Sequence, residues 1–502
     1  MKERHGVELD LAGVEPDDPK VFKTLAEGKT VGIFQLEGQG MTRYLKELRP
    51  TNLEDIIAMI SLYRPGPMEL IPSYIKRKHG REQVTYLHPK LEPILKNTYG
   101  IAVYQEQMMQ IARDLAGFTL AEADTLRKAI GKKIKSLLAE QKEKFVSRMI
   151  SSKVEKSIAR KLGELLEPFA RYGFNRSHAA SYARVAFETA YLKTYWPLEF
   201  MASLMNSDEK DIDRLSFLMK EAKELGIEVR PPEINTSYDG FTPEEFQGGP
   251  AIRFGLRAIK NVGSNVVRAI IKERSENGIF TNLEDFLGRI PYQDLNKKSL
   301  EALIKSGATD CLGERAALLE NIELLLQHHR ESAKQRNGAQ DSLFNESAAA
   351  SQPSLALKEV PPASPEERLR WEKELLGLFI SGHPLEKFRE VLSRQKLNIK
   401  LIKSFKAGSP VIIGGIIEEL KKVLTRHNQP MLFLKLADFT DSIEAVVFPR
   451  LLSANGGVFQ PDACVVLKGS ISIRGGNPSI ICDEARKLGE KNETKQENVF
   501  AI

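Results

Sequence analysis

Cysteine is scarce. Cys311, Cys464 and Cys482 are the only three in 502 residues, and they lie far apart. An odd count without a CxxC pair argues against a disulfide scaffold, and no Cys/His set has the spacing of a zinc site. The sequence reads as one for a reducing cytoplasm. It also lacks any apolar run of ~18 or more residues, so no membrane-spanning helix and no membrane partner are expected. The start, MKERHGVELD, is polar and without the pattern of a signal peptide. No repeat of the solenoid kind is present.

What is there is globular: 42% hydrophobic and 28% charged residues, neither disordered nor fibrous. At ~100–200 residues per domain, about three domains are expected. The net charge of +6 is mildly basic and points to a polyanionic partner only where the charge clusters.

The first ~225 residues carry helical patterns. TNLEDIIAMISLY opens with an N-cap at Thr51 or Asn52 and is broken by RPGP (Arg64 to Pro67). YQEQMMQIARDLAGF and LAEADTLRKAIGKK continue the series, and a long helix is expected from about Ala179 to Trp196, stopped by Pro197. PPEIN (Pro231 to Asn235) marks a boundary, followed by a short mixed segment and further helices to about Gln327. Residues 331–365 are polar and Ser/Ala-rich, the composition of a flexible linker. Within it, QDSLF (Gln340, Asp341, Ser342, Leu343, Phe344) sets two large apolar residues in a solvated tract, as a docking peptide does. A helix capped at Ser364 follows. From about Pro410 five short β-rich runs alternate with turns, which suits a small barrel such as the OB-fold. The fold class is therefore multidomain, mainly α, ending in an all-β barrel.

Five stretches bear on chemistry. RYGFNRSHAASY gathers Arg171, Asn175, Arg176, Ser177, His178 and Tyr182 at the start of a helix. A helix N-terminus is already partially positive, so cations there cost free energy unless an anion arrives. Backbone N–H groups, Ser177 and the cations together would cradle a phosphate, and His178 and Tyr182, at i and i+4, share one face. The competing reading is an exposed polar loop capped by Asn175 or Ser177. DTLRKAIGKK places Arg127, Lys128, Lys132 and Lys133 at neighbouring helical positions, a basic face that is otherwise simply solvated. AIKNVGSNVVRAIIKER has the outline of a helix-hairpin-helix, whose turn offers backbone N–H groups to a DNA phosphate. Asn261 stands where the usual pattern has its first glycine, and Asn tolerates left-handed backbone. LNKKSLEALIKSGATDCLG reads as the partner hairpin. The only Asp-x-Asp, Asp211 to Asp213, sits at a polar helix start, where capping outweighs a metal role.

Taken in order, TVGIFQLEGQGM, LYRPGP, RKHGRE, YGIAVYQEQMMQIA, DTLRKAIGKK and YGFNRSHAASYA resemble the fingers region of the bacterial replicative DNA polymerase III alpha subunits, a C-family polymerase. The tandem hairpin, linker and OB-fold pattern extend the resemblance over nearly the whole chain. It implies a fingers domain over 1–225, tandem helix-hairpin-helix over 226–330, a flexible linker with a clamp-binding peptide over 331–365, a helical connector over 366–405, an OB-fold over 406–490 and a tail over 491–502. It further implies that Arg64, Arg127, Lys128, Lys132 and Lys133 contact an incoming dNTP triphosphate. Asn175, Arg176, Ser177, His178 and Tyr182 would line the nascent base pair and the triphosphate. Lys260, Val262, Gly263, Ser264, Arg268, Lys297 and Lys298 would hold primer-template duplex through its phosphates. Gln340 to Phe344 would bind the sliding clamp, with Leu343 and Phe344 as anchors. The OB-fold would meet single-stranded template, with Phe433, Phe439 and Phe448 as candidate stacking residues. Other replicase holoenzyme subunits are implied partners.

The departures matter as much. The family's palm aspartates, which hold two Mg²⁺ ions for phosphoryl transfer, have no counterpart here, so the metal site is expected on the palm and not on this chain. Met1 falls beyond the family's last palm aspartate, as in a fragment or a split polymerase. Lys128 stands where the family commonly has arginine, which keeps charge but loses a bidentate fork. The expected function is the C-terminal part of a DNA-directed DNA polymerase, inactive without its palm. The alternative is a non-catalytic DNA-binding, clamp-tethering protein of the same descent.

Overall fold

A computed structural model describes residues 2–131, 135–338, 355–395, 397–474 and 476–489. The chain divides into two compact units, Met1–Val229 with Phe241–Ile252, and Arg230–Gly240 with Arg253–Ile502.

The first unit is helical and has two cores. One gathers α1 (Pro19–Ala26), α2 (Gln39–Leu48), α3 (Leu53–Leu62) and α4 (Ile71–Lys78). Phe22, Leu45, Ile56 and Tyr74 are buried there. The other is built by α5 (Gln105–Ala116), α6 (Leu120–Gly131), α7 (Lys135–Ser151) and α8 (Lys156–Tyr172), around Met108, Leu126, Phe145 and Phe169. The long helix α9 (Arg176–Tyr195) belongs to the first core. Ala179, Ala183, Ala186 and Ala190 recur along one side of it and are fully buried, so small side chains let α9 lie close against its neighbours. Helices α10 (Pro197–Ser207) and α11 (Ile212–Glu224) complete the helical run.

The two cores are joined by a backbone bridge. Phe174 N–H donates to the Val103 carbonyl at 3.1 Å, and Gln105 N–H donates to the Phe174 carbonyl at 2.8 Å, an isolated parallel bridge between Tyr104 and Phe174. A small sheet of β1 (Glu228–Arg230), β2 (Thr242–Phe246) and β3 (Gly249–Arg253) follows, in the order β1-β3-β2.

In the second unit, α12 (Ser264–Asn277), α13 (Leu283–Arg289), α14 (Lys297–Lys305), α15 (Arg315–Glu320) and α16 (Ile322–Gly338) form the hairpin region. Helix α17 (Pro365–Leu376) carries the capping box announced by Ser364 and Glu367. Its buried Glu372 accepts from Arg315 Nη1 at 3.2 Å and from Ser381 N–H at 3.0 Å. Arg315 also clasps Asp310 through two 2.8 Å bonds. Lys373, next along α17, pairs with Asp462. Five strands then close into a barrel in the order β4-β5-β6-β8-β7: β4 (Pro410–Leu424), β5 (Pro430–Ala437), β6 (Ser442–Val447), β7 (Cys464–Arg474) and β8 (Asn477–Lys487). Period-two burial fills it: Val411 and Ile413, then Leu432, Leu434 and Leu436, then Ile443, Ala445 and Val447 all point inward.

The region expected as a linker over 331–365 is structured at both described ends. Helix α16 continues through Gly338. Further on, Lys358 N–H donates to Asn321 Oδ1 at 2.9 Å and Ala363 N–H to Glu314 at 2.9 Å. Side-chain acceptors from the hairpin region thus hold Lys358 and Ala363, a constraint the composition does not reveal. The QDSLF residues Gln340, Asp341, Ser342, Leu343 and Phe344 lie outside the described residues. All three cysteines are free thiols. Among the described residues no helix is long and apolar enough to cross a membrane.

Candidate functional site

Helix α9 begins at Arg176, three residues earlier than its pattern suggested. Asn175 is the cap: its Oδ1 accepts from His178 N–H at 2.9 Å and from the Ser177 hydroxyl at 2.8 Å. Arg176, one of the cations at this N-terminus, has acidic partners within the fold. Arg176 N–H donates to both carboxylate oxygens of Glu106, at 3.2 and 3.0 Å, and the Arg176 guanidinium pairs with Glu54. Two acidic residues distant in sequence therefore compensate the unfavourable charge at the helix start.

Along the exposed side of α9 runs a ladder of rings. Phe174, His178 and Tyr182 lie at i, i+4 and i+8, with centroid separations of 5.6 Å and 4.5 Å. Phe34, from the turn before α2, continues it at 5.2 Å from Tyr182. At the opposite end the Arg64 guanidinium lies 4.0 Å from the Phe174 ring centre. Arg64 is half-buried and held by carbonyls: Nε and Nη2 donate to Ser61 O at 3.1 and 2.9 Å, and Nη2 also to Tyr172 O at 2.9 Å. Among the described residues it has no carboxylate partner, and burial lowers its pKa. A desolvated cation neutralised only by carbonyl dipoles and a ring face is a place where an anion binds with little further cost.

The basic face of α6 is partly spoken for. Asp124 accepts from Arg127 Nε at 2.9 Å and pairs with Lys128 Nζ at 2.9 Å. The hydrogen bond from Lys128, then that from Arg127, holds the Asp124 carboxyl below its usual range. The C-terminal end of α6 reaches the bridge: a Cβ at Gly131 would stand 3.6 Å from Gln105 Nε2, which donates to Gly173 O at 3.2 Å. Lys132 and Lys133 lie outside the described residues. The fold thus brings Arg64, Asn175, Arg176, Ser177, His178 and Tyr182 together and sets the α6 end beside them. Phe34, Phe174 and Glu54 were missed in the sequence. Only the aromatic at 174, four residues before His178, carried a local signal.

In the second unit Asn261 has φ +69°, so it supplies the left-handed turn that glycine usually provides. Gly263 caps α12 with an ordinary φ of −79° and open space where its Cβ would be. That leaves the first N–H groups of α12 reachable by a phosphate. Val262 is buried and belongs to the packing, offering only its backbone. Ser264, Lys260 and Arg268 are exposed, and Arg268 Nη2 donates to Asn265 Oδ1 at 2.7 Å. Lys297 and Lys298 are exposed in the first turn of α14, where Asn296 and Ser299 form a capping box. Lys297 is paired with Glu323.

On the barrel, Phe433 is half-buried and pairs in register with Lys421 and Val446. Phe448 is exposed. Phe439 is 39% exposed, but Arg389 already covers one face at 4.1 Å. Asp211 caps α11 by accepting Arg214 N–H at 3.0 Å. Among the described residues no group of three or more His, Cys, Asp or Glu is placed to hold a metal ion.

Comparison with known proteins agrees with this layout. Residues 1–153 match the bacterial DNA polymerase III alpha subunit finger domain, 226–318 a helix-hairpin-helix motif and 411–488 an OB-fold nucleic acid binding domain. The DNA polymerase III subunit alpha of Thermus aquaticus is 44% identical over 459 residues, covering 90% of this chain and 37% of that protein. Its counterpart in Aquifex aeolicus is 41% identical, over 93% of this chain and 39% of that protein. The one in Bacillus subtilis is 39% identical over the whole chain and 44% of its own length. The chain therefore spans about two fifths of the length of these relatives.

Proposed function

From the premise that this chain is the counterpart of the fingers-to-OB-fold region of bacterial DNA polymerase III alpha subunits, we propose that it grips the incoming dNTP and the primer-template DNA during template-directed 5′–3′ synthesis. The observation that carries this is the ladder from Arg64 to Tyr182. A nucleotide is anionic at one end and flat at the other. The ladder has a carboxylate-free guanidinium at one end and ring faces along its length. Arg64, Arg127, Lys128, Lys132 and Lys133 would meet the triphosphate. Asn175, Arg176, Ser177, His178 and Tyr182 would meet the sugar and base pair. In this reading the chain positions and electrostatically stabilises the nucleotide. The Mg²⁺ chemistry of nucleotidyl transfer would belong to carboxylates of a palm outside this chain.

The hairpins would hold duplex DNA through backbone N–H groups and lysines, indifferent to sequence. The barrel would lie near single-stranded template. The QDSLF peptide would tether the sliding clamp in a bacterial cytoplasm, alongside other holoenzyme subunits. Primer extension with Mg²⁺ and nucleotides tests the whole. Activity is expected when the chain is joined to a palm-bearing N-terminal portion, and none from the chain alone. Duplex binding with no extension in either form would favour the tethering alternative.

A further inference from the structure

The turn before α2 holds Gln35 at φ +62°. A long side chain rarely adopts left-handed backbone, since its Cβ crowds the following carbonyl. Such an outlier persists only where its surroundings impose it, and it often marks a site of function. Here the surroundings are firm. Ile33 and Leu36 are buried on either side. Gly32, at φ +74°, has no room for a side chain, because Leu204 Cδ1 would lie 2.3 Å from its Cβ. Phe34 N–H donates to Thr189 Oγ1 at 3.2 Å, and Glu37 is paired with Arg214. With its flanks fixed, the turn pushes two side chains outward. Phe34 is 37% exposed and meets Tyr182. Gln35 is exposed beside it. Glycine would hold this backbone without strain, so the fold does not ask for glutamine.

The ladder has a polarity. Its cation lies over Phe174, and the end of α6 comes near the same place through Gln105 and Gly173. At the other end, among the described residues, no cation lies over Phe34 or Tyr182. That end presents rings and one carboxamide. A carboxamide has adjacent donor and acceptor atoms, which is the complement of a base edge.

We propose that the Phe34–Gln35 turn is a specificity element of the nucleotide site: Phe34 closes the base end of the ladder, and the Gln35 carboxamide hydrogen-bonds the edge of the nascent base pair. This rests on the nucleotide reading of α9 given above. Gln35 touches substrate only through that edge, and its effect is on selection between correct and mispaired nucleotides.

The test uses the chain joined to its palm-bearing portion and the four natural deoxynucleoside triphosphates, with kcat and KM measured for correct and mispaired incorporation. Gln35→Met keeps length and backbone and removes the carboxamide. It is expected to lower selectivity about tenfold, the scale of one lost hydrogen bond, with an unchanged melting temperature. Gln35→Gly is expected to lose selectivity equally while melting higher, because the strain is relieved. Phe34→Ala is expected to raise KM more than it lowers kcat. Selectivity within twofold of the parent for both Gln35 variants would overturn the proposal, provided His178→Ala impairs incorporation in the same assay. If His178→Ala is also silent, or the parent protein incorporates nothing, the nucleotide reading itself falls and this inference falls with it.

Discussion

His178 and Tyr182 stand one helical turn apart on α9, their ring centroids separated by 4.5 Å and their planes tilted by 37°. His178 is exposed at the outer edge, and Tyr182 is held between it and Phe34. Replacing either by Ala in a palm-joined protein should impair nucleotide incorporation about 10- to 100-fold, the range set by a base-stacking contact. Binding of primer-template should change far less. Equal loss of both activities, measured by steady-state kinetics and by DNA titration, would remove the base-pair role.

Leu343 and Phe344 are the two large apolar residues of QDSLF. Changing both to Ala should abolish clamp binding in a surface-plasmon titration and leave clamp-free primer extension intact. Unchanged clamp affinity would show that this peptide is not the tether.

Lys260 and Arg268 flank the Asn261–Gly263 turn and are exposed. Neutralising both should reduce the slope of log K against log salt for duplex binding by roughly two, about one per phosphate contact. The loss should be similar for any duplex sequence. An unaltered slope would take the first hairpin out of the DNA path.

Arg315 and Glu372 form a buried ion pair, with 4% and 0% of their side chains exposed. Arg315→Ala strands a carboxylate in the interior and should cost about 3–5 kcal/mol in urea unfolding of the second unit. Arg315→Met combined with Glu372→Gln should recover more than half of that loss. A double variant no better than the single one would mean the pair is not the source of the effect.

Glu122 sets up a pH dependence. Its carboxylate accepts two bonds from Arg148, at 2.8 and 2.9 Å, and one from Lys144 at 2.9 Å. The Arg148 bonds first, then Lys144 and the Thr119 N–H, hold its pKa far below the usual range. A carboxyl depressed on folding stabilises the protein above its unfolded pKa, about 4.3, and loses that contribution as pH falls toward the folded value. Glu122→Gln should therefore lower the melting temperature at pH 7, with the gap narrowing below about pH 4. A gap of equal size at pH 3 and pH 7 would contradict this assignment.

The barrel was legible because its strands alternate: Val411 and Ile413, or Leu432, Leu434 and Leu436, advertise their inward face. Asn261 was legible because few residues other than glycine accept its backbone. The start of α9 was misplaced for a physical reason. Arg176 is unfavourable in a first turn, and what makes it acceptable, Glu54 and Glu106, lies 122 and 70 residues away. Phe34 was invisible in the same way, since nothing local to it announces Tyr182. The restraints on Lys358 and Ala363 were not legible, because they come from Asn321 and Glu314, the two caps of α15, 37 and 49 residues earlier in the chain.

The bridge between Val103–Gln105 and Phe174 has a further meaning. The ring ladder is mounted on one core and the basic helix α6 on the other, and beside the ladder they are tied by the backbone bridge and by bonds from Arg64 to Tyr172 O, from Arg176 N–H to Glu106 and from Gln105 to Gly173 O. The arrangement is that of a caliper whose jaws are packed independently. A substitution deep in either bundle is therefore expected to alter the spacing between the α6 charges and the rings.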